Sequence, residues 1–217
     1  MKNMLIKELK LSASPLSFLF ILFGVLTACP GYPILVGGFF VCLGIFQSFL
    51  ASREANDIVY SALLPVKKVN TVKSKYIFCI FIELCAFLLS TVITLLRMTV
   101  FVNSAVYRNN ALMNANFVYL GFLVLIFGLF NSVFVCGFFK TAYTISKPFI
   151  FFIITAFLVI TVGEALHYIP CFSAVNSFGF ENMGLQSVFL LVGVILYLLL
   201  TFVFEKRAEK YFEKIDL

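Results

Sequence analysis

The stretch Ser52 to Tyr76, SREANDIVYSALLPVKKVNTVKSKY, is polar and charged, yet it stands between two segments so apolar that lipid is their natural solvent. Within it Ala55, Ile58, Val59, Ala62 and Leu63 fall at i, i+3, i+4, i+7 and i+8, the apolar stripe of an amphipathic helix. Arg53, Glu54, Asn56 and Asp57 gather at the polar start of that helix. Pro65 ends it. Lys67, Lys68, Lys73 and Lys75 follow, so the stretch predicts a short helix at the cytosolic face of a membrane, suited to dock a soluble partner and to anchor on lipid headgroups.

The rest of the chain agrees with a membrane setting. Hydrophobic residues make up 62% of the 217 and charged residues 12%, against roughly 25% charged in soluble domains, and the mean hydropathy is +1.07. Six apolar runs approach or reach spanning length: about Pro15 to Cys29, Ile34 to Ala51, Tyr76 to Val102, Phe117 to Phe139, Phe149 to Tyr168 and Gln186 to Phe204. The first is short, and a helix starting at Leu11 would give it adequate length with Pro15 near its first turn. Cys29-Pro30-Gly31-Tyr32-Pro33 leaves almost no room between the first two runs, which predicts a tight helical hairpin. The fold class is therefore all-α: one polytopic transmembrane domain over residues 1–217, with an N-terminal segment 1–11, a loop 52–75 and a C-terminal tail 205–217.

Basic residues orient these spans. The N-terminus holds three (Lys2, Lys7, Lys10), the second loop five (Arg53, Lys67, Lys68, Lys73, Lys75), the fourth loop two (Lys140, Lys147) and the C-terminus four (Lys206, Arg207, Lys210, Lys214), together 14 of the 16. Arg97 and Arg108 lie at or beyond the far end of the third run, so the positive-inside rule places both termini in the cytosol. The net charge of +6 is spread over span ends instead of forming one patch, and no nucleic-acid partner is implied. No small-residue cleavage site follows the first run in the manner of a signal peptide, which reads as a retained helix.

Signs of catalysis are absent from the sequence. There is no H-E-x-x-H helix, no G-x-S-x-G elbow and no G-x-x-x-x-G-K-[ST] phosphate loop, and His167 is the single histidine. No metal, cofactor or active site is expected in this chain. Of the six cysteines, four lie in apolar runs where thiols act as small hydrophobes; Cys29 and Cys171, each beside a proline near the outer surface, read as free thiols in preference to a disulfide. Most of the 29 Phe side chains are expected to face lipid or to pack between helices.

Three ionisable residues stand inside or at the edge of the apolar runs and form a candidate intramembrane polar set. Glu83 lies seven residues past Tyr76, roughly 10 Å deep at 1.5 Å per residue, too deep for so short a side chain to snorkel. Two readings fit it equally: a polar functional site, or a hydrogen bond to Ser or Thr of a neighbouring helix that serves packing alone. Arg97 is expected to snorkel outward. Glu164 and His167, i and i+3 near the outer end of the fifth run, fit interfacial anchoring better than binding of protons or polar cargo. The loop Pro170 to Gln186 interleaves polar residues with Phe172, Phe178 and Phe180, which suits either a surface-lying segment or a plain connection. In the tail, Phe204, Ala208, Tyr211 and Ile215 make an apolar stripe opposite Lys206, Glu209, Lys210 and Glu213, for the inner leaflet or a cytosolic partner.

Glu54 to Tyr76, with its carboxylates, Leu64-Pro65-Val66-Lys67-Lys68 and Val72-Lys73-Ser74-Lys75-Tyr76, resembles the cytosolic loop of type-2 ABC transporter permeases, the six-helix membrane subunits of bacterial exporters. Lys7-Glu8-Leu9 is similar to the Lys-acid-Leu before their first helix, and Gly137-Phe-Phe-Lys140-Thr-Ala142 to the segment entering their fifth. The chain departs from the pattern at Asn131-Ser132-Val133, near an expected proline, which leaves the local helix geometry open. The resemblance implies a multi-pass protein of the bacterial cytoplasmic membrane, two permease copies or a permease with a paralogue, and a separate cytosolic ATPase that binds ATP and Mg. It further implies that Glu54, Asp57, Ile58, Val59, Leu63, Pro65, Lys67 and Lys68 form the helix that couples to the ATPase, and that Lys2 to Leu11 is a surface elbow. Cargo would be a hydrophobic or amphipathic peptide, toxin, lipid or drug. The alternatives are a substrate-binding subunit of a vitamin or metal importer, which should show convergent polar residues, an intramembrane protease, which should show its motifs, and a protein that confers resistance by binding a toxic peptide.

The charge asymmetry makes a direct prediction. Single cysteines placed at Asn70 and Asn109 in a cysteine-free background should react differently with an impermeant thiol reagent added outside intact cells, position 109 labelling and position 70 not; the reverse pattern overturns the orientation.

Overall fold

The computed structural model describes residues 2–63, 66–108, 110–141 and 144–215, and no strand occurs among them. In chain order the helices are α1 (Lys2–Lys7, running into a π-turn Glu8–Ser12), α2 (Pro15–Leu19, tightening into a 3-10 stretch Phe20–Ala28), α3 (Val36–Glu54), α4 (Asp57–Leu63), α5 (Lys68–Thr99) and α6 (Ala105–Arg108). Next come α7 (Phe117–Leu129), continued through a π-turn Phe130–Val135 into α8 (Cys136–Thr141), then α9 (Ser146–Ala165) and α10 (Met183–Glu213). Among the described residues five helices are long and apolar enough to cross a membrane, and the pair Met4–Lys10 and Pro15–Ala28, bent by 84°, makes a sixth candidate.

The first span does not start at Leu11. Ala13 and Ser14 are extended, and the Ser14 hydroxyl caps a new helix by accepting from Leu16 N–H at 3.3 Å, so the chain turns before Pro15. Length is recovered another way: 3-10 geometry rises about 2.0 Å per residue against about 1.5 Å in an α-helix, which stretches the short run from Pro15 to Ala28. Small residues close the expected hairpin with α3. The Ser17 hydroxyl donates to the Gly44 carbonyl at 2.6 Å, Ser48 sits 2.6 Å from Ser17, and a Cβ at Gly44 would meet Phe20 at 2.5 Å.

The helix pair α7–α8 is the axis of the bundle, its apolar side chains mostly buried where those of α10 are mostly exposed. Around it Phe46 stacks on Phe149 with ring centres 3.7 Å apart, and Phe49 meets Phe134 and Phe138 edge-on, the packing expected of aromatic faces and rims. Leu88, Val92, Phe151, Ile154, Val188 and Leu199 point outward, as a lipid-facing belt should. At the resemblance's point of departure the helix widens into the π-turn. It turns Asn131 wholly inward, and the Tyr76 hydroxyl takes up the Asn131 carbonyl at 3.0 Å.

Contacts across the chain define two ends. At one, Lys75 meets Glu8, Lys73 meets Glu209, Lys140 lies over Tyr211, and Lys68 donates to the Ile215 carbonyl, so the four basic segments assemble together. The last helix continues into the tail as expected, α10 reaching Glu213, but the stripe differs at one place: Phe212, not Tyr211, is buried, edge-on to Phe139. The tail therefore packs on its own chain. At the opposite end Arg97 does not snorkel; its guanidinium donates to the Thr27 carbonyl at 2.8 Å and lies 4.2 Å from the Tyr107 ring. Asn116 caps α7 and donates to the carbonyls of Val175 and Ser177, and Gln186, fully buried, donates to those of Gly179 and Glu181. The loop after α9 is thus sewn down over the bundle. All six cysteines are free thiols.

Where α7 crosses α10, Gly121 and Gly193 face each other, and a Cβ on Gly193 would run into the Gly121 backbone. Gly193→Val should therefore lower the thermal midpoint of the solubilised protein, costing about 1–3 kcal/mol, whereas Gly184→Ala, with open space around it, should leave the midpoint unmoved.

Candidate functional site

The predicted connecting helix is present, starting two residues later than its stripe suggests. Helix α3 runs on to Glu54, Ala55 and Asn56 form a turn with Asn56 at φ 50°, and α4 begins at Asp57. Asn tolerates that left-handed conformation better than most residues. The turn rotates α4 so that Asp57 and Ser61, i and i+4, face inward while Tyr60 is 62% exposed. Val59 is half-buried, Glu54 and Arg53 are exposed, Lys67 is exposed and Lys68 is half-buried. The side chains of Ile58 and Leu63, and Pro65 as a whole, lie outside the described residues.

Beneath α4 sits a four-charge cluster. Lys75 Nζ lies 2.9 Å from Glu8 Oε2 and 3.4 Å from Asp57 Oδ2; Lys7 Nζ lies 2.5 Å from Asp57 Oδ1 and 3.3 Å from Glu8 Oε1. Three hydroxyls complete it: Ser52 donates to Asp57 Oδ2 at 2.8 Å, Ser12 donates to the same oxygen at 3.3 Å, and Ser61 accepts from Lys7 at 2.8 Å. Lys75 also donates to Ser52 at 2.8 Å. Glu8, Asp57 and Lys75 are all buried. Two cations and two anions cancel, so the group is neutral as a whole. Burial alone pushes the Asp57 carboxyl up, but the Lys75 and Lys7 ammonium groups and the Ser52 hydroxyl outweigh that and hold it below its ordinary value.

The cluster joins the N-terminal helix, the end of α3, α4 and the start of α5. It turns Asp57 from the outward-facing charge of the sequence reading into an internal tie. Sequence reasoning quoted Lys7, Glu8 and Lys75 as separate motif residues and missed that they meet; their opposite charges at the ends of apolar runs are the one signal that could have paired them. Beside the cluster a hollow of about 140 Å³ opens between Lys7, Ala55, Asp57 and Tyr60.

The three residues of the intramembrane polar set do not converge. Glu83, in the middle of α5, accepts from Asn131 Nδ2 at 3.0 Å and from the Tyr197 hydroxyl at 2.8 Å, and Asn131 reaches on to Thr201 at 3.2 Å. Glu164, in the last turn of α9, and His167, in the 3-10 turn that follows it, brace the segment before α7. Glu164 accepts from Met113 N–H at 2.9 Å, and His167 Nε2 lies 3.1 Å from the Ala111 carbonyl. They hold a loop in place and do not form a site with Glu83.

The profile of the ABC-2 family transporter proteins matches residues 3–204, nearly the whole chain. Curated proteins and solved structures give no match. With its bundle of five or six apolar helices, the chain belongs to that family and is a multi-pass cell-membrane protein, a permease subunit of an ABC transporter, a class whose ATPase is a separate subunit.

Removing one charge from the cluster strands its partners. Asp57→Ala should destabilise the protein by about 3–5 kcal/mol, read from the temperature at which the buried thiols of Cys42 and Cys79 become reactive; the pair Glu8→Leu with Lys75→Met should cost less than either change alone, because both charges leave together. Since Asp57 is lowered in the fold, its contribution is complete above about pH 4, the ordinary carboxylate value, and is lost as pH falls through the lower folded value.

Proposed function

We propose that this chain is the pathway-forming subunit of an ATP-driven exporter for a hydrophobic or amphipathic cargo such as a peptide, toxin, lipid or drug, with its basic end in the cytosol. Two copies, or one copy and a paralogue, form the pathway, and a partner ATPase binds ATP and Mg and does the hydrolysis. The observation that carries the reading is the link between α4 and the cluster beneath it. A soluble subunit pressing on Glu54, Tyr60 and the adjoining hollow moves α4, and α4 cannot move without Asp57. Asp57 is held by Lys75 at the start of the long α5 and by Lys7 of α1, and separating buried opposite charges is costly, so the displacement passes to the spans in place of being absorbed locally. The assigned residues thus divide into two roles: Glu54 with Ile58, Val59, Leu63, Lys67 and Lys68 presenting the docking surface with Pro65 as its boundary, and Asp57 transmitting.

Lipid-facing α9 and α10 support a pathway shared between copies, since six helices leave much apolar surface exposed in one chain. The outward face of α4 provides the test, because Glu54 and Tyr60 are exposed and their replacement leaves the cluster intact. In the complex reconstituted with its ATPase, Glu54→Lys with Tyr60→Ala should reduce cargo-stimulated ATP hydrolysis severalfold while membrane insertion and the thermal midpoint stay at wild-type values. Unchanged stimulation in a variant that still assembles overturns the assignment. The native mass of the complex should correspond to two permeases per particle.

A further inference from the structure

Between α5, α7 and α10 lies a cavity of about 190 Å³. Its walls are Ile80, Leu84, Phe87, Phe127 and other apolar side chains, and its only polar lining residues are Glu83 and Tyr197. Leu84 and Leu198, each close to half exposed on the outer side of the bundle, frame it, so it communicates with the bilayer. An engineered cavity of about 150 Å³ accepts benzene, and this one has room for a ring or a short length of alkyl chain.

The polar wall is incomplete. Glu83, 1% exposed, receives both of its donors, Asn131 Nδ2 and the Tyr197 hydroxyl, on Oε2. Glu83 Oε1 has no partner among the described residues, and neither has Asn131 Oδ1 in the same cluster. Of the groups that meet here, the single hydroxyl hydrogen of Tyr197 goes to Glu83, both amide hydrogens of Asn131 go to Glu83 and Thr201, and Tyr76 donates to the Asn131 carbonyl. The nearest lysine along α5, Lys75, is two turns away, roughly 12 Å, and bound to Glu8 and Asp57. A buried carboxylate oxygen of a residue that lines an apolar, lipid-open space thus lacks a donor, and leaving such a group unsatisfied is costly in a medium without water.

The missing complement is a group with several N–H donors and a positive charge, carried on an apolar body. We propose that this cavity is a bilayer-facing binding site for an amphipath bearing a protonated primary amine, its ammonium group donating to Glu83 Oε1 and its apolar part lying between α5 and α10. An ammonium supplies three donors and a countercharge, which an alcohol or a quaternary amine does not. The site is independent of the exporter reading, because binding here needs neither ATP nor a partner subunit.

The test uses the full chain in nanodiscs of phosphatidylcholine and phosphatidylglycerol, which contain no primary amine. Unfolding is followed by the reactivity of the buried Cys42 and Cys79 thiols. Dodecylamine should raise the midpoint in a saturable manner, with dodecanol and dodecyltrimethylammonium giving much smaller shifts. Glu83→Gln should weaken the dodecylamine affinity by about tenfold to a hundredfold, the scale of a lost charged hydrogen bond. Val194→Phe, which fills the cavity without touching its polar wall, should also abolish the shift and serves if Glu83→Gln does not fold. A further shift in nanodiscs enriched in phosphatidylethanolamine identifies a lipid headgroup as the source of the amine; its absence, with dodecylamine still active, identifies a single-chain amphipath. Equal shifts from dodecanol, shifts retained in both variants, or no shift with dodecylamine overturn the proposal, the last meaning that water or a proton completes the site.

Discussion

A lysine that stands at the first turns of a spanning helix and is almost sealed from solvent must be neutralised within the protein, and Lys75 is that residue here. Its partners, Glu8 and Asp57, come from the N-terminal segment and from α4, and Lys7 balances the second carboxylate. From this one requirement several features follow. The N-terminal segment must lie across the end of the bundle, at 84° to the first span, to bring Glu8 within reach. The chain must turn sharply at Asn56 to bring Asp57 inward. The outer face of α4 is then left to Tyr60 and its neighbours, and the inner face becomes a mechanical tie.

Polar pairing recurs at three depths of the bundle, each time with a different consequence. At the basic end it is ionic and closed within the cluster of Lys7, Glu8, Asp57 and Lys75, where two cations match two anions. In the middle of the bundle, Glu83, Asn131, Tyr197 and Thr201 form a chain of hydrogen bonds that stops short, leaving Glu83 Oε1 and Asn131 Oδ1 without a donor, the first on a residue that lines an apolar cavity. At the far end, Asn114, Asn116 and Gln186 hold the connecting segments over the helices through backbone carbonyls and N–H groups. In a hydrocarbon setting an incomplete polar group is the informative one, since the complete ones explain themselves by stability. The coupling role proposed for the closed cluster and the ligand role proposed for the cavity at Glu83 rest on that difference.

Hydropathy and helical period made the spans, the hairpin and the connecting helix legible, because each depends on residues within one or two turns of one another. They failed wherever long-range pairing decided the geometry. The stripe Ala55, Ile58, Val59, Ala62, Leu63 placed the start of the helix two residues too early, because the left-handed turn at Asn56 comes first and brings Asp57 inward. Tyr211 fitted the tail stripe as well as Phe212 does, and only the position of Phe139 selects between them. Arg97 had the length to snorkel, and the Thr27 carbonyl and Tyr107 ring kept it inside. Asn131 was visible as a departure from a family pattern; its role as donor to Glu83 needed the π-turn that points it inward.

The sequence by itself determined that this is an all-α membrane protein, how many apolar segments it offers, and that its basic residues gather on alternate loops. Those are local or compositional properties, set by the cost of exposing backbone and charge to lipid. The tertiary structure decided which charges face each other. Glu8 and Lys75 are 67 residues apart and Glu83 and Tyr197 are 114 apart. No periodicity spans such distances, because a salt bridge or hydrogen bond fixes only the final separation of two atoms and leaves no trace in the chain between them.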